Sequence, residues 1–283
     1  MIITLQNEFL TAKVNTLGGA IESLMENGTE HIWPYDAERW PRRTSICFPV
    51  CSSLREGAYF HEGVKYEMPM HGFLREYDMQ VVLQEKSRAF FAFEANEETR
   101  KIYPFDFRFE LEQSLEGRSL VIAYRVINTG EKDLLFSVGS HYALLLPDRE
   151  ERCTLQFTKP QHAHILDFAG GVVTGRGEDF FLGRTDLPVK DQFESRSLIF
   201  EQAELDTESI SVAVDGKPFT RMSCEGFPYL VLWAQKGGCP FVCIENWAGM
   251  ADFAECGREL KEKRGIETAK PGQTRVFVQR ISV

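Results

Sequence analysis

The feature that most constrains this chain is a two-residue alternation of apolar and polar side chains. Between 105 and 111, Phe105, Phe107, Phe109 and Leu111 alternate with charged or polar residues. Beyond the turn signal Glu116-Gly117, Leu120, Ile122, Tyr124 and Val126 share one face of a second run, which Asn128-Thr129-Gly130 closes. Successive side chains of a strand point to opposite faces, so this period gives each strand one apolar row.

Similar short strands are expected at 2 to 6, 9 to 14, 79 to 84, 88 to 94, 133 to 138, 198 to 202, 209 to 214, 229 to 234, 240 to 245 and 274 to 282. Only 253 to 263 reads as a short helix. Many short strands with Gly, Asn and Asp punctuation indicate an all-β chain, and the expectation is one large antiparallel β-sandwich over residues 1–283. No internal repeat, low-complexity tract or long linker divides it. The Gly-rich stretch 168 to 177, FAGGVVTGRG, lacks the Gly-Lys-Ser/Thr of a phosphate loop and reads as a surface loop.

Composition narrows the partner. A formal net charge of −10 disfavours a nucleic-acid groove or an anionic membrane surface, both of which call for basic patches. The expected partner is a small neutral molecule or another protein. The amino terminus, MIITLQNEFLTAKVN, has no basic region leading into an apolar run, and no window approaches a membrane span, so a cytoplasmic protein is expected. Seven scattered cysteines without a Cys-x-x-C read as reduced structural thiols.

Three stretches place titratable groups among apolar residues: PMHGFLRE with His71, FSVGSHYA with His141, and PFVCIENWAGMAD with Glu245. A histidine beside an apolar run is commonly a hydrogen-bonded core imidazole, and a glutamate closing a strand is commonly its first solvated residue. A carboxylate between Ile244 and Trp247, however, is costly unless paired or used.

These residues lie in segments that carry a resemblance. HGFLR at 71 to 75, SVGSHYAL at 137 to 144, YLVLWAQKGGCPFVCIENWAG at 229 to 249, LKEKRGIETAKPGQT at 260 to 274 and WPRRTSICFPV at 40 to 50 together resemble the aldose 1-epimerase (galactose mutarotase) family. The chain is similar to the bacterial branch of mutarotase-like proteins found with lactose genes, and to the hexose-6-phosphate 1-epimerases. The resemblance implies a mutarotase-like β-sandwich that interconverts sugar anomers by ring opening and closure, with no metal and no organic cofactor. It implies Glu245 as general base, His141 as general acid on the ring oxygen, and His71 as a second histidine near that oxygen. Mutual attraction is expected to lower the Glu245 pKa and raise that of His141. Trp247, Trp233 or Phe73 would offer a flat face to the sugar, or serve as core.

Two departures bear on substrate. Family members usually carry an arginine where this chain has Ser53; an extended segment would put Arg55 on the same side as a substitute, and a turn would not. The family's sugar-binding aspartate has no clear match, since Arg196 stands there with Asp191 and Glu194 nearby. Arg75 and Arg196 could grip a phosphate or carboxylate, or Arg196 could be a plain surface residue. A non-catalytic carbohydrate-binding protein on the same fold is the alternative to an enzyme. His162 and His164 lack a third ligand at recognisable spacing and read as loop residues.

Overall fold

The computed structural model describes residues 1–193, 197–235 and 240–283. Arg196 and Glu194 of the sequence expectation lie outside them, as does Cys239.

The alternating runs form the strands Phe107–Glu116 and Ser119–Asn128, paired antiparallel with Phe109 opposite Val126 and Leu111 opposite Tyr124. They sit within a nine-stranded sheet in which Ser119–Asn128 also pairs with Thr274–Ser282 and Phe107–Glu116 with Arg88–Glu94. An eight-stranded sheet lies across from it. Its path runs from Val172–Asp179 through His164–Ala169, Leu198–Glu201, Tyr229–Trp233, Phe241–Ala248 and Val138–His141 to Ser45–Cys47, with Ala143–Leu145 pairing with Phe241–Ala248.

Between these sheets lies the main core. Phe109, Leu111, Ile122, Tyr124 and Phe277 from one sheet join Leu230, Leu232, Val242 and Ile244 from the other in a single buried cluster. Tyr124 and Tyr142 join their hydroxyls across it at 2.5 Å. The architecture is the expected antiparallel β-sandwich, supplemented by a four-stranded sheet built from the amino-terminal residues. No helix among the described residues is long and apolar enough to cross a membrane. The described cysteines Cys47, Cys51, Cys153, Cys224, Cys243 and Cys256 form no disulfide.

Local expectations fail in three places. The helix expected at 253 to 263 is only a 3-10 turn at Leu260–Glu262. The α-helix among the described residues is instead Glu97–Ile102, started by a capping box in which Asn96 Oδ1 accepts from the Thr99 backbone and Thr99 Oγ1 accepts from the Asn96 N–H. The Gly-rich stretch is not a loop: His164–Ala169 and Val172–Asp179 form a hairpin turned at Gly170 and Gly171, both with positive φ. The strand expected at 133 to 138 divides into Leu134–Phe136 and Val138–His141, which belong to different sheets.

Candidate active site

The strand Phe241–Ala248 is buried along its whole length, and its period separates two environments. Val242, Ile244 and Ala248 face the main core. Phe241, Cys243, Glu245 and Trp247 therefore face the other side, where Tyr229, Val231 and Trp233 of the next strand join them. Glu245 sits opposite Val231, and Trp247 opposite Gly139. The register of Val138–His141 against Ser45–Cys47 brings Ser45 opposite His141. Strands distant in sequence thus set a row of polar and aromatic groups on one sheet face.

That face floors a cavity of about 320 Å³ containing His71, His141, Glu245, Trp233 and Trp247. Glu245 is 2 % exposed, and its Oε1 lies 3.7 Å from His141 Nδ1. Among the described residues, neither Glu245 Oε2 nor His141 Nδ1 has a hydrogen-bond partner. Buried polar atoms are rarely left so, and these two belong to groups that face the cavity. A larger cavity, about 580 Å³, lies around His61, Tyr66 and Phe105, but its acids Glu62, Asp106 and Glu131 are exposed and no buried carboxyl meets a histidine there.

The electrostatics differ from the sequence expectation. Burial drives the Glu245 carboxyl well above its usual pKa, with the neighbouring Cys47 sulfur adding to the rise and the nearby Trp247 indole opposing it. Burial also drives His141 well below the imidazole norm, with His71 and the Arg75 guanidinium beside it adding to the fall. Loss of water around each group sets the direction of both shifts, against what their mutual attraction alone would give.

His71 is oriented by its backbone and its neighbours. It occupies a left-handed conformation at φ 64°, followed by Gly72 at φ 72°. The Ser52 N–H donates to His71 Nδ1 at 3.1 Å, which leaves the ring proton on Nε2. The loop that carries Ser52 is anchored from below: the Arg55 N–H donates to Asp252 Oδ2 at 2.7 Å, and Lys263 Nζ donates to Asp252 Oδ1 at 2.7 Å in a buried pair. The last residue of PFVCIENWAGMAD thus supports the site that Glu245 occupies.

The aromatic candidates separate cleanly. Trp233 meets the His141 ring edge-on at 5.6 Å, while Trp247 lies edge-on to His71 at 5.6 Å and donates its indole N–H to Ser140 O. Phe73 belongs to the main core, among Phe48, Tyr77, Tyr103 and Phe107. Arg75 lines the cavity. Arg55 does not: a 3-10 turn at Arg55–Gly57 breaks the extended path, and its guanidinium donates to Phe253 O and Ala254 O. The substitution expected for Ser53, which does line the cavity, is corrected accordingly. His162 and His164 pair with different carboxylates, Asp179 and Glu204.

Several lining residues were not singled out from the sequence. Trp40 lies 5.4 Å from the His141 ring, and Arg42, Arg43 and Phe168 complete the walls. The first three fall inside WPRRTSICFPV, whose only local signal was its place in the resemblance. Phe168 arrives on the hairpin that was read as a loop.

A buried carboxyl and an imidazole beneath aromatic walls, on the sheet of a large antiparallel sandwich, define the class. The model of the aldose 1-epimerase family matches residues 1–282, and the chain belongs to that family. Among its relatives are the plasmid and chromosomal LacX proteins of Lactococcus lactis subsp. lactis, each 26% identical over 97% of this chain and 96% of theirs. A galactose mutarotase related enzyme from Lactobacillus acidophilus shares the fold with a TM-score of 0.93 at 24% identity, over 100% of this chain and 97% of that one. A galactose mutarotase-like protein from Lactobacillus casei does so with a TM-score of 0.92 at 22% identity, over 100% and 99%.

Proposed function

We propose that this protein is an aldose 1-epimerase that interconverts the α and β anomers of a hexopyranose in the cavity above Glu245. The observation that carries the reading is the buried Glu245 carboxyl 3.7 Å from the His141 imidazole, with one atom of each lacking a partner. The pair contains one proton donor and one acceptor in either protonation arrangement, which is what ring opening demands.

Sugar hydroxyls donating to Glu245 stabilise its charged form, and the displaced proton moves to His141. Glu245 then takes the proton from the C1 hydroxyl while His141 gives one to the ring oxygen, and the bond from C1 to that oxygen breaks. Rotation about C1–C2 turns the other face of the aldehyde inward. On reclosure the hydroxyl proton returns to His141, and Glu245 protonates the former carbonyl oxygen. His71, protonated on Nε2, supplies a neutral donor beside them. Trp40, Trp233 and Trp247 offer flat surfaces to the sugar's C–H groups.

A sugar phosphate is favoured as substrate by one specific observation. Arg42, Arg43 and Arg75 all line the cavity, and the same three surround an adjoining recess of about 60 Å³ with Ser45 and Glu76. Glu22 pairs with Arg43, and Glu76 with Arg42 and Arg75, so three cations face two anions. The surplus of positive charge, in a chain with a net charge of −10, suits an anion such as the 6-phosphate of a hexose.

Anomer exchange measured by NMR on galactose, glucose and glucose 6-phosphate, corrected for the spontaneous reaction, tests both readings. Glu245→Gln is expected to lose about 10²- to 10⁴-fold, the usual contribution of a positioned acid or base. Arg42→Ala is expected to raise KM for the phosphorylated sugar and leave the plain sugar nearly unchanged. Sugar binding without catalysed exchange for any substrate would instead establish a carbohydrate-binding protein.

A further inference from the structure

We propose that His141 and Glu245 in the floor of this cavity, with Cys243 buried just beneath them, form a binding site for a thiophilic divalent cation, zinc being the prototype. One donor atom from each of these residues lies within 4.8 Å of the other two. Cys243 and Glu245 are two residues apart on the strand Phe241–Ala248 and so face the same side. His141 reaches them from the strand Val138–His141, which pairs with the same strand. Donors fixed on paired strands are already oriented, so little conformational freedom is lost on capture.

The distances suit the ion. Zinc bonds nitrogen and oxygen at about 2.0–2.2 Å and sulfur at about 2.3 Å, so its tetrahedral ligands stand roughly 3.3–3.8 Å apart. The separation of 3.7 Å between His141 Nδ1 and Glu245 Oε1 already meets that spacing. The remaining donors need to close by about 1 Å at most to reach it. Mixed nitrogen, sulfur and oxygen donors select zinc over magnesium or calcium, which take oxygen sets.

A second observation points to a ligand here. Glu245 is 2 % exposed and one of its oxygens lacks a partner, as does His141 Nδ1. A cation would satisfy both, and a water or sugar hydroxyl entering from the cavity would fill its fourth position. The metal is an inhibitor in this scheme and not a cofactor. It occupies the lone pairs that Glu245 and His141 need for proton transfer, so zinc competes with the sugar. The existence of the site is independent of the proposed reaction; only that competition rests on it.

Metal-stripped protein titrated with zinc chloride by calorimetry, and with cobalt chloride by absorption, tests the assignment. Wild type is expected to bind one equivalent and to show a thiolate-to-cobalt charge-transfer band. Cys243→Ser and Cys243→Ala should lose that band and bind zinc at least about tenfold more weakly. Cys256→Ser, which alters a thiol away from the cavity, should change neither. Circular dichroism establishes that each variant is folded, and Glu245→Gln, a same-sized change, gives the same weakening if the cysteine variants fail to fold. Absence of saturable binding to wild type, or undiminished binding in the folded Cys243 variants, overturns the proposal. Rapid anomer exchange that saturating zinc leaves unchanged also overturns it. If no sugar is turned over but zinc binding depends on Cys243, the metal site stands and the epimerase reading fails.

Discussion

Burial decides the chemistry of the key residues. The Glu245 carboxyl and the His141 imidazole lie close enough to attract each other, yet both shift toward their neutral forms. Sequence reasoning singled out these two residues and His71 because titratable groups stood among apolar neighbours, and the resemblance gave them their proposed roles. It missed the direction of their pKa shifts because water exclusion depends on Trp40, Trp233 and the facing walls, which no local pattern displays. An NMR titration of the sugar-free protein is therefore expected to place the His141 transition below 6.5, the ordinary imidazole value. A reaction that needs one proton on the pair gives a pH profile of the rate with two limbs. The acid limb, on which His141 becomes charged, falls below pH 6.5, and the alkaline limb, on which Glu245 loses its proton, lies above the ordinary carboxyl value of 4.5. A His141 transition above 6.5 in the sugar-free protein would show that mutual attraction dominates after all.

Among the elements, the long regular strands were legible, as were shorter ones such as Ile2–Gln6, Leu198–Glu201 and Ser209–Val214, whereas some of the shortest were not. Phe107–Glu116 and Ser119–Asn128 each carry five alternating pairs, enough for the period to stand out. Ser45–Cys47 has three residues and no readable alternation, yet it carries the edge on which His141 is aligned. The same limit hid the hairpin at 164–179, because its turn glycines dominate its composition. The segment holding His71 has a different constraint. At Gly72, φ is 72° and an added Cβ would stand 2.1 Å from the Phe48 carbonyl oxygen, a backbone atom that cannot swing aside. Gly72→Ala is expected to destabilise the protein by about 2 kcal/mol or more, from left-handed strain together with that overlap. Denaturant unfolding reads the loss. Because the displaced backbone carries His71, anomer exchange should fall at a temperature where the variant is still folded; unchanged exchange would remove His71 from the site.

On the scale of the whole molecule, the desolvation of His31, His141 and Glu245 opposes the stability of the sandwich that holds them, and the sign follows from linkage. His31 is buried neutral, its pKa lowered to about 4 by desolvation, and it stacks on Phe219. For His31 and His141, whose folded values lie below the unfolded one, stability is complete above pH 6.5 and is lost as the pH falls toward their folded values. For Glu245, whose folded value is raised, stability is complete below 4.5 and is lost as the pH rises toward the folded value. The carboxyl thus costs the fold most at neutral and alkaline pH. Glu245→Gln keeps the size of the side chain and removes the charge, so it should melt at a higher temperature than wild type at pH 8. The gain should shrink as the pH falls toward 4.5, below which the wild-type carboxyl is protonated in both states. The same variant is the one expected to lose anomer exchange, which makes stability and activity move in opposite directions, as they do where a strained site serves function. Thermal melts of both proteins between pH 5 and pH 8 check this. A variant that is less stable than wild type across that range would show that Glu245 is held by the fold and not against it.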